Sequence, residues 1–210
     1  MSAPKLLIEG FARFRGNHFS AADVMYRNLV EQGQTPKILV VGCCDSRVDP
    51  ALIFDCAPGD LFVIRNVANL VPPVEGRAGH HGTTAALEYG VRNLLVEHIV
   101  VLGHAHCGGI ATLMKTAGET DAESFIDDWM KLAEAARAGV ARDLALASNE
   151  QRQRECEKRA ILVSLQNLRT FPWITRRVEA GALTLHGWYF DIEQGQLLGY
   201  EEKRRQFIQL

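Results

Sequence analysis

Two short runs of aliphatic residues, Lys37-Ile38-Leu39-Val40-Val41 and Ile99-Val100-Val101-Leu102, each stop on a cluster of reactive side chains. The first leads through Gly42 into Cys43-Cys44-Asp45-Ser46-Arg47, and the second through Gly103 into His104-Ala105-His106-Cys107-Gly108-Gly109. Runs of this length bounded by loop residues read as buried strands. A further strand, Leu61-Phe62-Val63-Ile64, follows the turn Pro58-Gly59-Asp60. After Pro72-Pro73 the spacing of Ala86, Leu87, Tyr89, Val91, Leu94 and Leu95 predicts a helix capped by Thr83 or Thr84 that hands over to Ile99. Strand, crossover helix, strand predicts an α/β fold with a mostly parallel central sheet flanked by helices on both faces. Such sheets place ligands beyond the C-terminal ends of their strands, where both clusters fall.

Residues 5–31 carry Leu6, Leu7, Phe11, Phe14, Val24, Met25, Leu29 and Val30 at spacings near three and four, so an N-terminal helical arm, 1–32, is expected before Gly33 and Pro36 break the pattern. Towards the other end, Ser148-Asn149-Glu150-Gln151 has the form of a capping box for a helix reaching about Arg169, with Ile161, Leu165 and Leu168 on its inner face. Pro172 opens a shorter helix that Gly181 ends. Residues 182–190 and 196–200, joined through Gln194-Gly195, read as a hairpin closing the sheet. No repeat or linker divides the chain, and 210 residues at 47% hydrophobic content are enough for one domain over 1–210.

A net charge of −2 without a long Lys/Arg run gives no footprint for nucleic acid or an anionic membrane. No segment approaches the roughly 20 apolar residues of a bilayer span, and Met1 to Lys5 do not begin a secretory leader. The five cysteines are an odd number with two adjacent, which suits a reducing compartment better than a disulfide framework. A cytoplasmic location is the expectation.

Thiolates from Cys43 and Cys107 with the imidazole of His104 make a Cys2His set for zinc, leaving the fourth tetrahedral position to water or to Asp45. An open position makes a metal catalytic. Asp45 and Arg47 can point the same way, letting the guanidinium hold the carboxylate while the carboxylate orients a reacting O–H. Cys56 and Cys156 have no paired ligand within motif distance and read as small core or surface thiols. His80 and His81 lie in a Gly-flanked loop from which they could relay protons, although exposed histidines mostly do nothing, whereas His98 and His186 read as packed and His106 as turned away from the metal. Trp129, Trp173, Trp188, Phe125 and Phe171 are dispersed and read as packing.

Cys43-x-Asp45-Ser46-Arg47 with His104-x-x-Cys107-Gly108-Gly109 resembles the β-class carbonic anhydrases. The resemblance extends to Gln34-Thr35-Pro36-Lys37, to residues 62–69, to Glu88-Tyr89 and to His186-Gly187-Trp188. It selects Cys43 over Cys44 as the ligand, since neighbours in an extended segment point oppositely. It implies a Rossmann-like fold, one zinc per subunit, and reversible hydration of carbon dioxide to bicarbonate and a proton with zinc-bound hydroxide as nucleophile. Catalytic roles fall to Asp45 and Arg47, and substrate contacts to Gln34, Phe62, Val67, Tyr89 and the Gly108 amide. The resemblance further implies a homodimer or higher even-numbered oligomer, with the arm packing in the dimer and several wall residues coming from the neighbouring subunit. Val40 stands where one branch of the family carries Trp, so Asp45 is expected paired to Arg47 and off the zinc at neutral and alkaline pH. Two thiolates donate more charge than three neutral histidines, so turnover is expected to climb from about pH 7 to 9.

Two other readings share these ligands. A hydrolase acting on carbonyl sulfide or carbon disulfide would use the same zinc set. A non-enzymatic zinc module would close the fourth position permanently, a reading weakened by the absence of a second Cys pair close in sequence.

Overall fold

A computed structural model describes residues 3–19, 24–75, 80–115 and 123–210. The chain opens with two helices, α1 (Ala3–His18) and α2 (Met25–Gln32), before the first strand β1 (Ile38–Cys43). The short α3 (Pro50–Ile53) starts under an Asp49 cap with Pro50 in its first turn, and β2 (Leu61–Asn66) follows. A 3-10 turn at Val67–Asn69 leads on to α4 (Gly82–Glu88), a π-turn over Tyr89–Asn93, and β3 (His98–His104). The second half runs through α5 (Gly108–Lys115), α6 (Phe125–Met130), α7 (Glu134–Asp143), α8 (Asn149–Leu168), α9 (Pro172–Glu179), β4 (Thr184–Asp191), β5 (Gln196–Glu201) and β6 (Gln206–Gln209).

The sheet has the order β2-β1-β3-β4-β5-β6, parallel from β2 through β4 and antiparallel across β4, β5 and β6. The α/β fold read from the sequence is therefore the one observed. Leu39, Val41, Ile99 and Val101 face a core completed by Leu87 and Val91 and by Ile161, Phe171 and Ile174. Val40, Val100 and Leu102 face the opposite side, with Ile53, Phe54, Trp188 and Phe190. Burial on both faces explains why these strands lack polar alternation. Helix α8 lies close on the sheet: a Cβ at Gly103 would come within 2.7 Å of Ile161, and one at Gly187 within 2.9 Å. Trimming Ile161 to Ala would leave a cavity there costing about 2–5 kcal/mol.

The capping box is present, Ser148 Oγ accepting from the Gln151 amide and Gln151 Oε1 from that of Ser148. Two expectations are corrected. The cap position of α4 falls on His81, because Thr83 accepts a hydrogen bond from Asn66 at 3.3 Å. The hairpin of β4 and β5 does not close the sheet: β6 adds an edge strand, four residues whose polar ends carry too little pattern to be read as one. Residues 76–79, ahead of His80, lie outside the described residues.

None of the described side chains of α1 and α2 is buried, and none joins the apolar cores. Leu7 is 73% exposed and Val30 83%. Ring contacts of Phe14 with Phe19 and Tyr26 tie the two helices together.

Candidate metal centre

β1 and β3 are neighbours in register, so their C-terminal ends emerge side by side and deliver Cys43 and His104 to one edge. His106 then takes a left-handed conformation (φ 57°), which turns the chain so that Cys107 comes back alongside His104. One ligand atom each from Cys43, His104 and Cys107 lies within 4.8 Å of the others, the only such group among the described residues. All three are buried, at 5%, 1% and 2% exposure.

The donor set fits a metal. His104 Nδ1 lies 2.9 Å from its neighbour's carbonyl at Ala105 and donates to it, leaving Nε2 as the free nitrogen. Nε2 is buried without a hydrogen-bond partner, an orphan that a cation would satisfy. The Cys43 thiol is lowered by a hydrogen bond from Cys107, opposed by burial and reinforced by His104 and by the amides of Asp45 and Ala68. Cys107, on the donating side of that bond and buried, is pushed up, although the amides of Gly109 and Ile110 at the start of α5 point at its sulfur. Two sulfurs in hydrogen-bond contact beside an imidazole form a set whose thiol protons a divalent cation would displace.

Asp45 is locked beside this group. Arg47 Nε donates to Oδ1 at 2.9 Å, Nη2 to Oδ2 at 2.7 Å, and the Arg47 amide to Oδ1 at 3.0 Å. This fork holds the Asp45 carboxyl well below the usual range, against partial burial. Arg47 Nη2 also donates to the His106 carbonyl at 3.1 Å, joining the two motif loops.

The remaining predicted contacts divide into two groups. Val67 and Gly108 lie at the metal edge: a Cβ at Gly109 would come within 2.7 Å of Val67, and the space beside Gly108 is open. Gln34, Phe62 and Tyr89 lie at the other end of the sheet. Gln34 precedes the start of β1, Phe62 pairs with Leu39, and the Tyr89 ring sits 5.9 Å from that of Phe62. At about 3.3 Å per residue, the five steps from Ile38 to Cys43 separate the two ends by about 16 Å.

A sequence profile described as Carbonic anhydrase matches residues 38–197. The chain belongs to the β-carbonic anhydrase family. This is a family of lyases, the carbonate dehydratases, and the chain is an enzyme of that class. It is 40% identical to a carbonic anhydrase of Synechocystis over 96% of this chain and 73% of that one. It is 45% identical to the chloroplastic β carbonic anhydrase 5 of Arabidopsis thaliana, over 79% of this chain and 54% of that one. The fold superposes on the β-carbonic anhydrase CcaA with a TM-score of 0.93 at 38% identity, covering 100% of this chain and 93% of that one. A tetrameric β-carbonic anhydrase of Sordaria macrospora gives 0.75 at 30% identity, covering 94% and 93%.

Several residues around the centre escape the sequence reading. Arg65 on β2 donates to the carbonyls of Cys43 (2.9 Å) and Asp45 (2.7 Å) and to Asp49 (2.8 Å), clamping the Cys43–Asp49 loop. Trp129, read as packing, donates from Nε1 to the Val67 carbonyl at 2.8 Å. Glu157 on α8 accepts from the Cys107 amide at 3.0 Å. Its signal is in the sequence: it shares with Ala160, Ile161, Ser164 and Leu168 the buried face of α8, where an acidic residue is out of place. His106, expected to turn away from the metal, bonds Glu193 at 2.5 Å, and His98 and His186 bond each other at 3.2 Å.

Proposed function

We propose that this chain interconverts carbon dioxide and bicarbonate, releasing a proton on hydration, with one zinc per subunit held by Cys43, His104 and Cys107. The observation that carries this reading is the buried Cys2His group with Asp45 fixed beside it by Arg47. Two soft thiolates and an imidazole suit zinc. When bound, zinc supplies Lewis-acid activation of water, which makes a nucleophile for carbon dioxide near neutral pH.

The protein's own part follows from the geometry. Asp45, kept ionised by Arg47, is an acceptor only, so it takes the O–H of the attacking water at a carboxylate oxygen and fixes which lone pair faces the substrate carbon. Arg47 positions that carboxylate from Nε and Nη2 and has no proton of its own to give. Val67 offers an apolar surface to a substrate that needs little more. The Gly108 amide, beside open space, donates to an oxygen of bicarbonate.

Gln34, Phe62 and Tyr89 serve the substrate in this reading from a second copy, because their own chain keeps them at the far end of the sheet. A homodimer or a higher even-numbered oligomer would bring the two ends together, with the arm over 1–32 packing in that assembly and 1–210 forming one domain. The exposed apolar side chains of α1 and α2 support this. All five cysteines are free, and no described helix is long and apolar enough to cross a membrane; a cytoplasmic location agrees with both.

Stopped-flow hydration of carbon dioxide by the zinc-loaded enzyme, run beside sulfide-release assays with carbonyl sulfide and carbon disulfide, tests the substrate. Rapid hydration with negligible sulfide release is expected. Sulfide release outpacing hydration would assign the site to the sulfur analogues.

A further inference from the structure

Glu157 is the most deeply buried acid among the described residues, at 3% exposure, and the chemistry above makes no use of it. Its carboxylate meets three donors: the Cys107 amide at Oε1 (3.0 Å), Gln153 Nε2 at Oε1 (3.0 Å) and the buried Tyr189 hydroxyl at Oε2 (2.8 Å). Those partners belong to the turn after β3, to α8 itself and to β4, so one carboxylate ties the metal-binding turn to two rigid elements. A buried acid that only accepts hydrogen bonds, with both oxygens used, is built to hold something in place.

What it holds is a backbone that would otherwise relax. His106 is left-handed without being glycine, a sparsely populated conformation that persists only where its surroundings over-determine it. Three side chains from outside the turn restrain it, beside the backbone bond from the Ala105 amide to the Phe190 carbonyl at 3.0 Å. Arg47 grips the His106 carbonyl, Glu193 the His106 ring, and Glu157 the Cys107 amide. The first two lie at the surface, with Arg47 50% and Glu193 47% exposed in their side chains. Of these three side chains, Glu157 alone acts from the buried side and on the amide of a ligand residue.

We propose that Glu157 is the positioning residue of the metal centre: it sets the His104-to-Cys107 turn so that the Cys107 sulfur and His104 Nε2 face one point. This rests on the metal reading of the site, and its role is to slow metal loss. Groups behind metal ligands typically govern affinity by roughly 10–100-fold.

The test uses full-length zinc-loaded protein, with release of zinc to a chromophoric chelator as the readout and the cobalt(II)-substituted absorption spectrum as the signature of ligand geometry. Glu157→Gln keeps an oxygen for the Cys107 amide and should release zinc within about threefold of the parent, whereas Glu157→Ala should release it roughly 10–100-fold faster. Glu157→Asp keeps the charge but falls a methylene short of the amide, so it should behave like Glu157→Ala, and both should shift the cobalt thiolate bands. If Glu157→Ala does not fold, the ranking of Gln and Asp decides. Asp near the parent with Gln fast would mean that charge rather than reach matters and would overturn the proposal, as would parental release rates and spectra in all folded variants. A parent chain that binds no zinc would overturn the metal reading as well; a parent that binds it normally beside unaffected variants would overturn this inference alone.

Discussion

The two ends of the sheet are built differently. At the C-terminal end one chain brings together three buried residues that could hold a metal, a carboxylate locked by a guanidinium, and a clamp from Arg65. At the N-terminal end the same chain presents Tyr89 at 47% exposure, Gln34 in the open, and an arm none of whose described side chains is buried. The first is finished within a single copy and the second is not. On the function proposed above, the contrast divides chemistry from substrate recognition: strand ends bring the candidate ligands together within one chain, while the wall residues Gln34, Phe62 and Tyr89 would have to reach the site from a second copy.

The comparison breaks most visibly at the finished end. Cys107→Ser removes a buried sulfur that nothing nearby can replace, so zinc content and hydration rate should fall together, the rate by about a thousandfold or more. Metal analysis alongside stopped-flow kinetics checks this; a variant keeping both would remove Cys107 from the ligand set. Asp45→Ala should retain zinc and lose roughly 10²-fold in rate, since orientation rather than ligation is gone. Unchanged turnover would refute that role.

The unfinished end is probed by complementation. Cys43→Ser lacks the metal but keeps Gln34, Phe62 and Tyr89, whereas a Gln34→Ala/Tyr89→Ala chain keeps the metal and lacks the wall. If sites are shared between copies, mixing the two chains under exchange should restore activity that neither shows alone, from one complete site per mixed dimer. No recovery despite demonstrated exchange would mean that each chain closes its own pocket. Removing residues 1–32 should shift the sedimentation of the protein towards smaller species, and an unaltered oligomer would release the arm from that role.

The finished end was also the more legible one in the sequence. Cys43, Asp45, Arg47, His104 and Cys107 sit at the ends of strands whose apolar runs are unmistakable, and strand ends carry short-range pattern. The stretch holding α5, α6 and α7 is poorly patterned because its helices are short and α6 passes into α7 through a 3-10 turn, and β6 is four residues long. Arg65 and Glu157 act across distant sequence, through registers that only the folded sheet creates. For Glu157 the misplaced charge on an apolar helix face was the available sign. The split of Gln34, Phe62 and Tyr89 from Val67 and Gly108 follows from strand direction: residues at the start of a parallel strand cannot reach the edge where it stops.

The smallest expected effect separates the cysteines proposed as metal ligands from the other three. Burial pushes Cys156 up to about 12, so it should stay a protonated, unreactive thiol at pH 8. Exposed Cys44 and partly exposed Cys56 should alkylate in the zinc-loaded protein, slowly because their thiols are also raised, chiefly by desolvation. Peptide mapping after iodoacetamide treatment checks the order, and early labelling of Cys156 would contradict it.

The most direct measurement is the hydration rate of protein stripped of metal and then titrated with zinc. The account predicts that the stripped enzyme is inactive while still folded, and that activity returns linearly until one zinc is bound per chain. Full activity in verified metal-free protein, or none after stoichiometric zinc is bound, would contradict it.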